Sequence, residues 1–131
     1  MSETNERYTK GMSTRRAVLG DTHVETATDP TDAFNADFQA LITEAAWGSV
    51  WSRETISKRE RSMLTIALLA ALGHHDEVAM HVRATRNTGA TMEDVKEALL
   101  HVAIYAGVPA ANHAFKIATK TYAQMRADDT D

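Results

Sequence analysis

Along this chain apolar residues recur at the three- and four-residue spacing of helices, and no segment alternates in the two-residue rhythm of a strand. A first helix is predicted from about Glu6 to Leu19, stopped by Gly20, with the polar run Asp21 to Asp29 read as a loop. Asp29-Pro30 then opens a second helix, Asp as the cap and Pro in the first turn. Phe34, Phe38, Leu41, Ile42 and Ala45 carry it to Trp47, with Gly48 as its stop. Ser57-x-x-Glu60 has the form of a capping box. Behind it Met63 to Leu72 is apolar on almost every side, which predicts a helix buried all round until Gly73. A fourth helix is expected over about 75–87, ending near Gly89. Thr91-x-x-Asp94 caps a fifth, which runs through Val95, Leu99, Val102 and Ile104 to Tyr105. Gly107-Val108-Pro109 breaks it, and a last helix extends from Ala110 to about Met125.

The predicted fold is therefore all-α, a six-helix bundle of αα-hairpins. Its third helix is apolar on more than one face, and the last two expose small and apolar positions. A domain of this size has little material to cover them, so self-association into a symmetric dimer or ring is expected.

Composition narrows the function classes. At 131 residues one domain is expected over 1–131, with flexible tails at 1–5 and 127–131. The net charge of -4 leaves no basic footprint for nucleic acid, and no Lys/Arg cluster exceeds Lys58-Arg59-Glu60-Arg61. Without cysteine there is no disulfide, thiolate metal site or thiol redox chemistry. No stretch approaches the roughly 20 apolar residues that span a bilayer, and the first residues lack an apolar leader, so a cytoplasmic protein with no membrane partner is expected.

Chemistry concentrates at His81, four residues after Glu77. That spacing stacks an imidazole and a carboxylate on one helical face, a candidate proton-handling pair, although most such pairs are surface contacts contributing a few tenths of a kcal/mol. His81 lies between Val78 and Val82, which puts it at the rim of the interior. His74, Glu77 and His81 also have the spacing of a two-histidine, one-carboxylate metal site, kept as an alternative; no resident metal is expected. Glu97, His101 and Tyr105 form a second polar row, with Tyr105 a candidate pocket wall. Trp47 and Trp51 read as core or interface anchors. Arg15, Arg16, Arg53, Arg61 and Arg83 are surface charges by default, yet an anionic substrate would need one or two of them. His113, beside Asn112, is assigned to neither pocket nor surface.

Several separated motifs resemble one family, in order. They are Arg15-Arg16-Ala17-Val18-Leu19-Gly20-Asp21; Phe38-Gln39-x-Leu41-Ile42-Thr43 through Ala46-Trp47-Gly48-x-Val50-Trp51-Ser52-Arg53; and Arg61-Ser62-Met63-Leu64-Thr65 leading to Ala70-Ala71-Leu72-Gly73. Glu77-x-x-x-His81-Val82-Arg83 and Tyr105-Ala106-Gly107-Val108-Pro109-Ala110-Ala111-Asn112 complete the set. Over about residues 6–122 the chain resembles the carboxymuconolactone decarboxylases. The resemblance implies a cofactor-free lyase of protocatechuate degradation, in the β-ketoadipate pathway. It also implies an alkylhydroperoxidase-D-like helical fold, assembled as a homo-oligomer, hexamer or trimer. Peroxidases of that superfamily carry Cys-x-x-Cys-x-x-x-His. Here the run is His74-x-x-Glu77-x-x-x-His81, with no thiolate to attack a peroxide.

The implied substrate is a small anionic lactone that accepts the electron pair left by carbon dioxide, so neither metal nor organic cofactor is required. The roles expected on this chain are His81 as general acid, Glu77 holding its tautomer and favouring its protonated form, and arginines binding carboxylates. Trp47 or Trp51 would form an apolar wall beside the departing group. The alternative readings are a related enzyme acting on another small lactone or keto acid, and the metal-dependent variant.

Overall fold

The computed structural model describes residues 3–27 and 32–129. All its elements are helical: α1 (Glu3–Leu19), α2 (Asp21–Ala27), α3 (Ala36–Ile42), a π-helical segment (Thr43–Trp51), α4 (Lys58–Leu72), α5 (His75–Thr88), α6 (Met92–Tyr105) and α7 (Val108–Asp129). The chain divides into two compact units, Met1–Ser57 and Lys58–Asp131.

In the first unit α1 packs along the π-helical segment, with α2 against α1 and α3 against the π-helical segment. The loop expected after Gly20 is instead the helix α2. Gly20 turns the chain at φ 93, Asp21 supplies an acid to the first turn, and Val24 is wholly buried. The Asp29-Pro30 start of the expected second helix lies outside the described residues. Gly48 is not a stop. A Cβ there would lie 2.6 Å from the Arg7 carbonyl oxygen, so this glycine permits two helices to touch by their backbones. Phe34, Phe38 and Leu41, expected as the inner face, are exposed; Thr43, Trp47 and Trp51 are buried instead. The wider π turn explains the change. In an α-helix a four-residue repeat drifts by ~40° per step. A π turn takes in more residues, so the same repeat stays closer to one line.

The second unit is a four-helix bundle in which α4 and α7 each pack against both α5 and α6. Its core joins Ile66 and Ala70 of α4, Val78 and Val82 of α5, Val95, Leu99 and Val102 of α6, and Ala111, Ala114 and Ala118 of α7. α4 is not buried all round: Leu64, Leu68 and Leu72, one four-residue row, stay exposed. Helix ends follow local chemistry. Gly89 closes α5 in the left-handed conformation, φ 86, and Thr91 and Asp94 form the reciprocal capping box of α6. Pro109 sits inside the first turn of α7, where its missing N–H has no partner to lose, so the helix begins at Val108 rather than Ala110. α1 begins at Glu3 and α7 runs to Asp129.

Asp94 does more than cap. Its two carboxylate oxygens accept from Arg59 Nε and Nη2 at 2.7 Å each, tying the start of α4 to the start of α6. The Arg59 hydrogen bonds, then the Thr91 backbone N–H, hold the Asp94 carboxyl far below the usual carboxylate range. A carboxyl acidified by folding stabilises the fold above its unfolded pKa near 4, and that contribution is lost as pH falls toward its folded pKa. Thermal melts from pH 7 to pH 3 are expected to show Asp94→Asn less stable than wild type at pH 7. The gap should narrow as the pH drops below about 5.

Candidate active site

His81 belongs to the buried stripe of α5. Val78, His81, Val82 and Thr85 fall three or four residues apart and all turn inward, and the imidazole is 6% exposed. Glu77, one turn earlier, is exposed. The two members of the predicted pair thus share a helix but not an environment, the imidazole being desolvated and the carboxylate wet. Thr85 donates to the Val82 carbonyl at 2.6 Å, so it folds back on its own helix.

The metal alternative fails on its donors. Among the described residues no three His, Cys, Asp or Glu side chains are grouped to hold an ion. His74 is the N-cap residue of α5, at φ -86 and ψ 76, outside the helical register that would align it with Glu77 and His81. His75 stacks on His113 instead, ring centroids 5.0 Å apart and 14° from parallel, which places His113 on the surface beside the start of α5.

The arginines separate into distinct roles. Arg15, on α1, is 4% exposed. Its Nη1 donates to Thr43 Oγ1 at 3.1 Å and its Nη2 to Gln39 Oε1 at 2.9 Å, while its buried Nε has no acceptor. Both acceptors are neutral, and no carboxylate pairs with this cation among the described residues. Burial lowers the Arg15 pKa from its usual value, with Tyr8 opposing, yet a guanidinium has so much reserve that it stays charged. A buried cation without a counter-charge costs several kcal/mol in desolvation, so it marks a place suited to an anion. Arg16, by contrast, is spent on Asp21 at 3.2 Å and Glu25 at 3.6 Å. Arg83 donates to Gln124 at 2.6 Å and to Asp128 at 3.4 Å, joining α5 to α7. Arg53 is exposed and Arg61 half-buried.

Trp47 and Trp51 are both buried on the π-helical segment, with ring centroids 5.0 Å apart and planes tilted by 33°. They share that inward face with Thr43, the Arg15 partner. Ser52 donates to the Trp47 carbonyl at 2.7 Å and meets Thr14 at 2.6 Å, pinning the end of the segment to α1. π-helical turns are rare and recur at functional sites. Gln39 and Thr43 stand in the sequence only as members of a motif; their pairing with Arg15 joins residues 24 and 28 positions away, which no local pattern announces. Tyr105, expected at a pocket, is 79% exposed at the end of α6 with its ring against His101 at 4.7 Å.

The sequence pattern of the carboxymuconolactone decarboxylase family matches residues 36–120. A 4-carboxymuconolactone decarboxylase of Acinetobacter baylyi is 43% identical over 120 residues, 92% of this chain and 90% of that protein. A nitrosuccinic acid decarboxylase of Metarhizium robertsii is 36% identical over 118 residues, 90% of this chain and 82% of that protein. A 4-carboxymuconolactone decarboxylase sequence from Pseudomonas putida is 49% identical over 43 residues, 33% of this chain and 90% of that sequence. With the matched segment running from α3 through most of α7, the chain belongs to the carboxymuconolactone decarboxylase family.

Proposed function

We propose that this chain is a 4-carboxymuconolactone decarboxylase of protocatechuate degradation, working without metal or organic cofactor. The observation that carries the reading is the 43% identity to a decarboxylase of that name across 92% of the chain. The two units are taken as parts of one functional domain, since the family match runs from one into the other.

The substrate is a butenolide whose ring carbon next to oxygen bears a carboxylate and a carboxymethyl arm. Its bond to the carboxylate breaks, and the electron pair moves through the ring double bond onto the lactone carbonyl, leaving a dienolate and carbon dioxide. A proton then adds to the carbon beside that carbonyl, giving the enol-lactone. The protein has to hold anions, stabilise charge on the lactone oxygen and deliver one proton. His81 is the proton donor: imidazole is the side chain suited to giving and taking a proton near neutral pH, and this one is buried. Glu77 acts through His81 as a positioning residue. Arg15 is the anion holder, because its guanidinium is buried with only neutral partners. Trp47 and Trp51 supply apolar wall. Arg16, Arg53, Arg61, Arg83 and Tyr105 are secondary choices for substrate contact.

The setting is a cytoplasmic homo-oligomer, trimer or hexamer. Support comes from the apolar surface of the second unit, where Leu64, Leu68 and Leu72 of α4 and Leu100 and Ile104 of α6 are all exposed. Surface of that kind is rare on a monomer.

One experiment joins these points. Purified 4-carboxymuconolactone is supplied to the protein, lactone loss is followed by ultraviolet absorbance with carbon dioxide release, and the active species is sized by sedimentation. Turnover by an oligomer is expected. Arg15→Gln should raise KM roughly tenfold to a hundredfold, the range for a hydrogen bond to a charged group, with a smaller change in kcat. No turnover of the lactone by the folded wild-type protein would end the reading.

A further inference from the structure

A cavity of about 280 Å³ opens between α6 and α7 and includes none of the residues assigned above to decarboxylation. Its floor is apolar, built from Leu99 of α6 and Phe115 and Ala118 of α7; Thr119, Tyr122 and Arg126 bring polar groups to it. At the low end of small-molecule sites, it has room for a ring system with a short arm.

The charges around it are unequal. Lys96 is taken by Glu93 at 2.7 Å. The acids that end α7 are turned away to α5, Asp128 to Arg83 at 3.4 Å and Asp129 to Arg86 at 3.7 Å. Arg126 is left with no ion pair or hydrogen bond among the described residues, at the mouth of an apolar slot. The Tyr122 ring lines the cavity, while its hydroxyl is buried beside Thr85. An apolar floor and an uncommitted planar cation describe one kind of ligand.

We propose that the α6/α7 cavity is a second small-molecule site, selective for a monocarboxylate carried on an apolar or aromatic body. The body displaces water from Leu99, Phe115 and Ala118, and the carboxylate meets the Arg126 fork. The proposal is independent of which substrate the protein decarboxylates.

The test uses 2-naphthoate and its neutral analogue 2-naphthamide as probes, titrated into the full chain by calorimetry. Wild type is expected to bind the acid at least tenfold more tightly than the amide. Arg126→Glu should remove that preference and weaken the acid at least tenfold. Thr119→Trp should fill the mouth and abolish binding of both. Both positions are exposed, so unchanged melting curves will show that the variants fold. Equal affinity for acid and amide, no binding at millimolar probe, or wild-type affinity in either variant overturns the proposal.

Discussion

Replacing His81 by alanine is expected to lower kcat on 4-carboxymuconolactone by about a hundredfold or more, the usual worth of a positioned acid or base. The effect should fall on kcat more than on KM, because the imidazole acts when the dienolate collects its proton and not when the lactone binds. Its place in the buried stripe of α5 also makes it a packing residue, so the alanine variant risks loosening the bundle. His81→Gln separates the two effects: it keeps volume and a hydrogen-bonding amide but offers no proton of useful acidity. A folded glutamine variant should be as inactive as the alanine one. In deuterium oxide the wild-type product should carry one deuterium at the carbon beside the lactone carbonyl. Near wild-type turnover by a folded His81→Gln removes His81 from the mechanism.

The helix ends of the second unit could be read directly because their causes are local. Gly89 supplies a left-handed closure, and Thr91 with Asp94 satisfies two backbone donors across three residues. Faces were harder, since they depend on which distant segment arrives to cover them. Leu64, Leu68 and Leu72 have the same spacing as a core stripe, yet they stay outside. Phe38 and Leu41 look like core and are exposed, because the helix changes its winding at Thr43. Nothing in the composition of Thr43 to Trp51 marks a π-helical stretch, and Gly48 within it lies close to the backbone of α1. In the site, the inward placement of His81 follows from Val78 and Val82, but the solvent exposure of Glu77 does not. Arg15 and Arg16 are neighbours of one residue type, and only the fold separates the buried guanidinium from the one spent on surface acids.

Gly11→Ala is expected to cost more in stability than the same change at any other glycine of this chain. The change would ordinarily help, since glycine inside an exposed helix costs about 1 kcal/mol relative to alanine. Here a Cβ at Gly11 would lie 2.0 Å from the Thr43 carbonyl oxygen, 2.8 Å from the Gly48 nitrogen and 3.0 Å from the Thr43 carbonyl carbon. All three are backbone atoms, so no side chain can swing aside and α1 must withdraw from the π-helical segment. That withdrawal strains contacts on both sides of Gly11: Arg7 to Ser49 at 2.9 Å, Thr14 to Ser52 at 2.6 Å and Arg15 to Thr43 at 3.1 Å. The overpacking penalty should exceed the propensity gain and leave a net loss of roughly 3 kcal/mol or more, a fall of about 10 °C in melting temperature. Both tryptophans of the chain, Trp47 and Trp51, lie on the segment being displaced, so their emission should shift to the red in the native baseline as well as at the melt. Ala17→Gly, at an exposed position of the same helix, supplies the comparison: it should cost only about 1 kcal/mol and leave the native emission unchanged. A Gly11→Ala protein that melts at or above wild type would mean that α1 does not touch the π-helical segment through its backbone. In that case the burial of Arg15, and with it the anion-holding role, would have no structural basis.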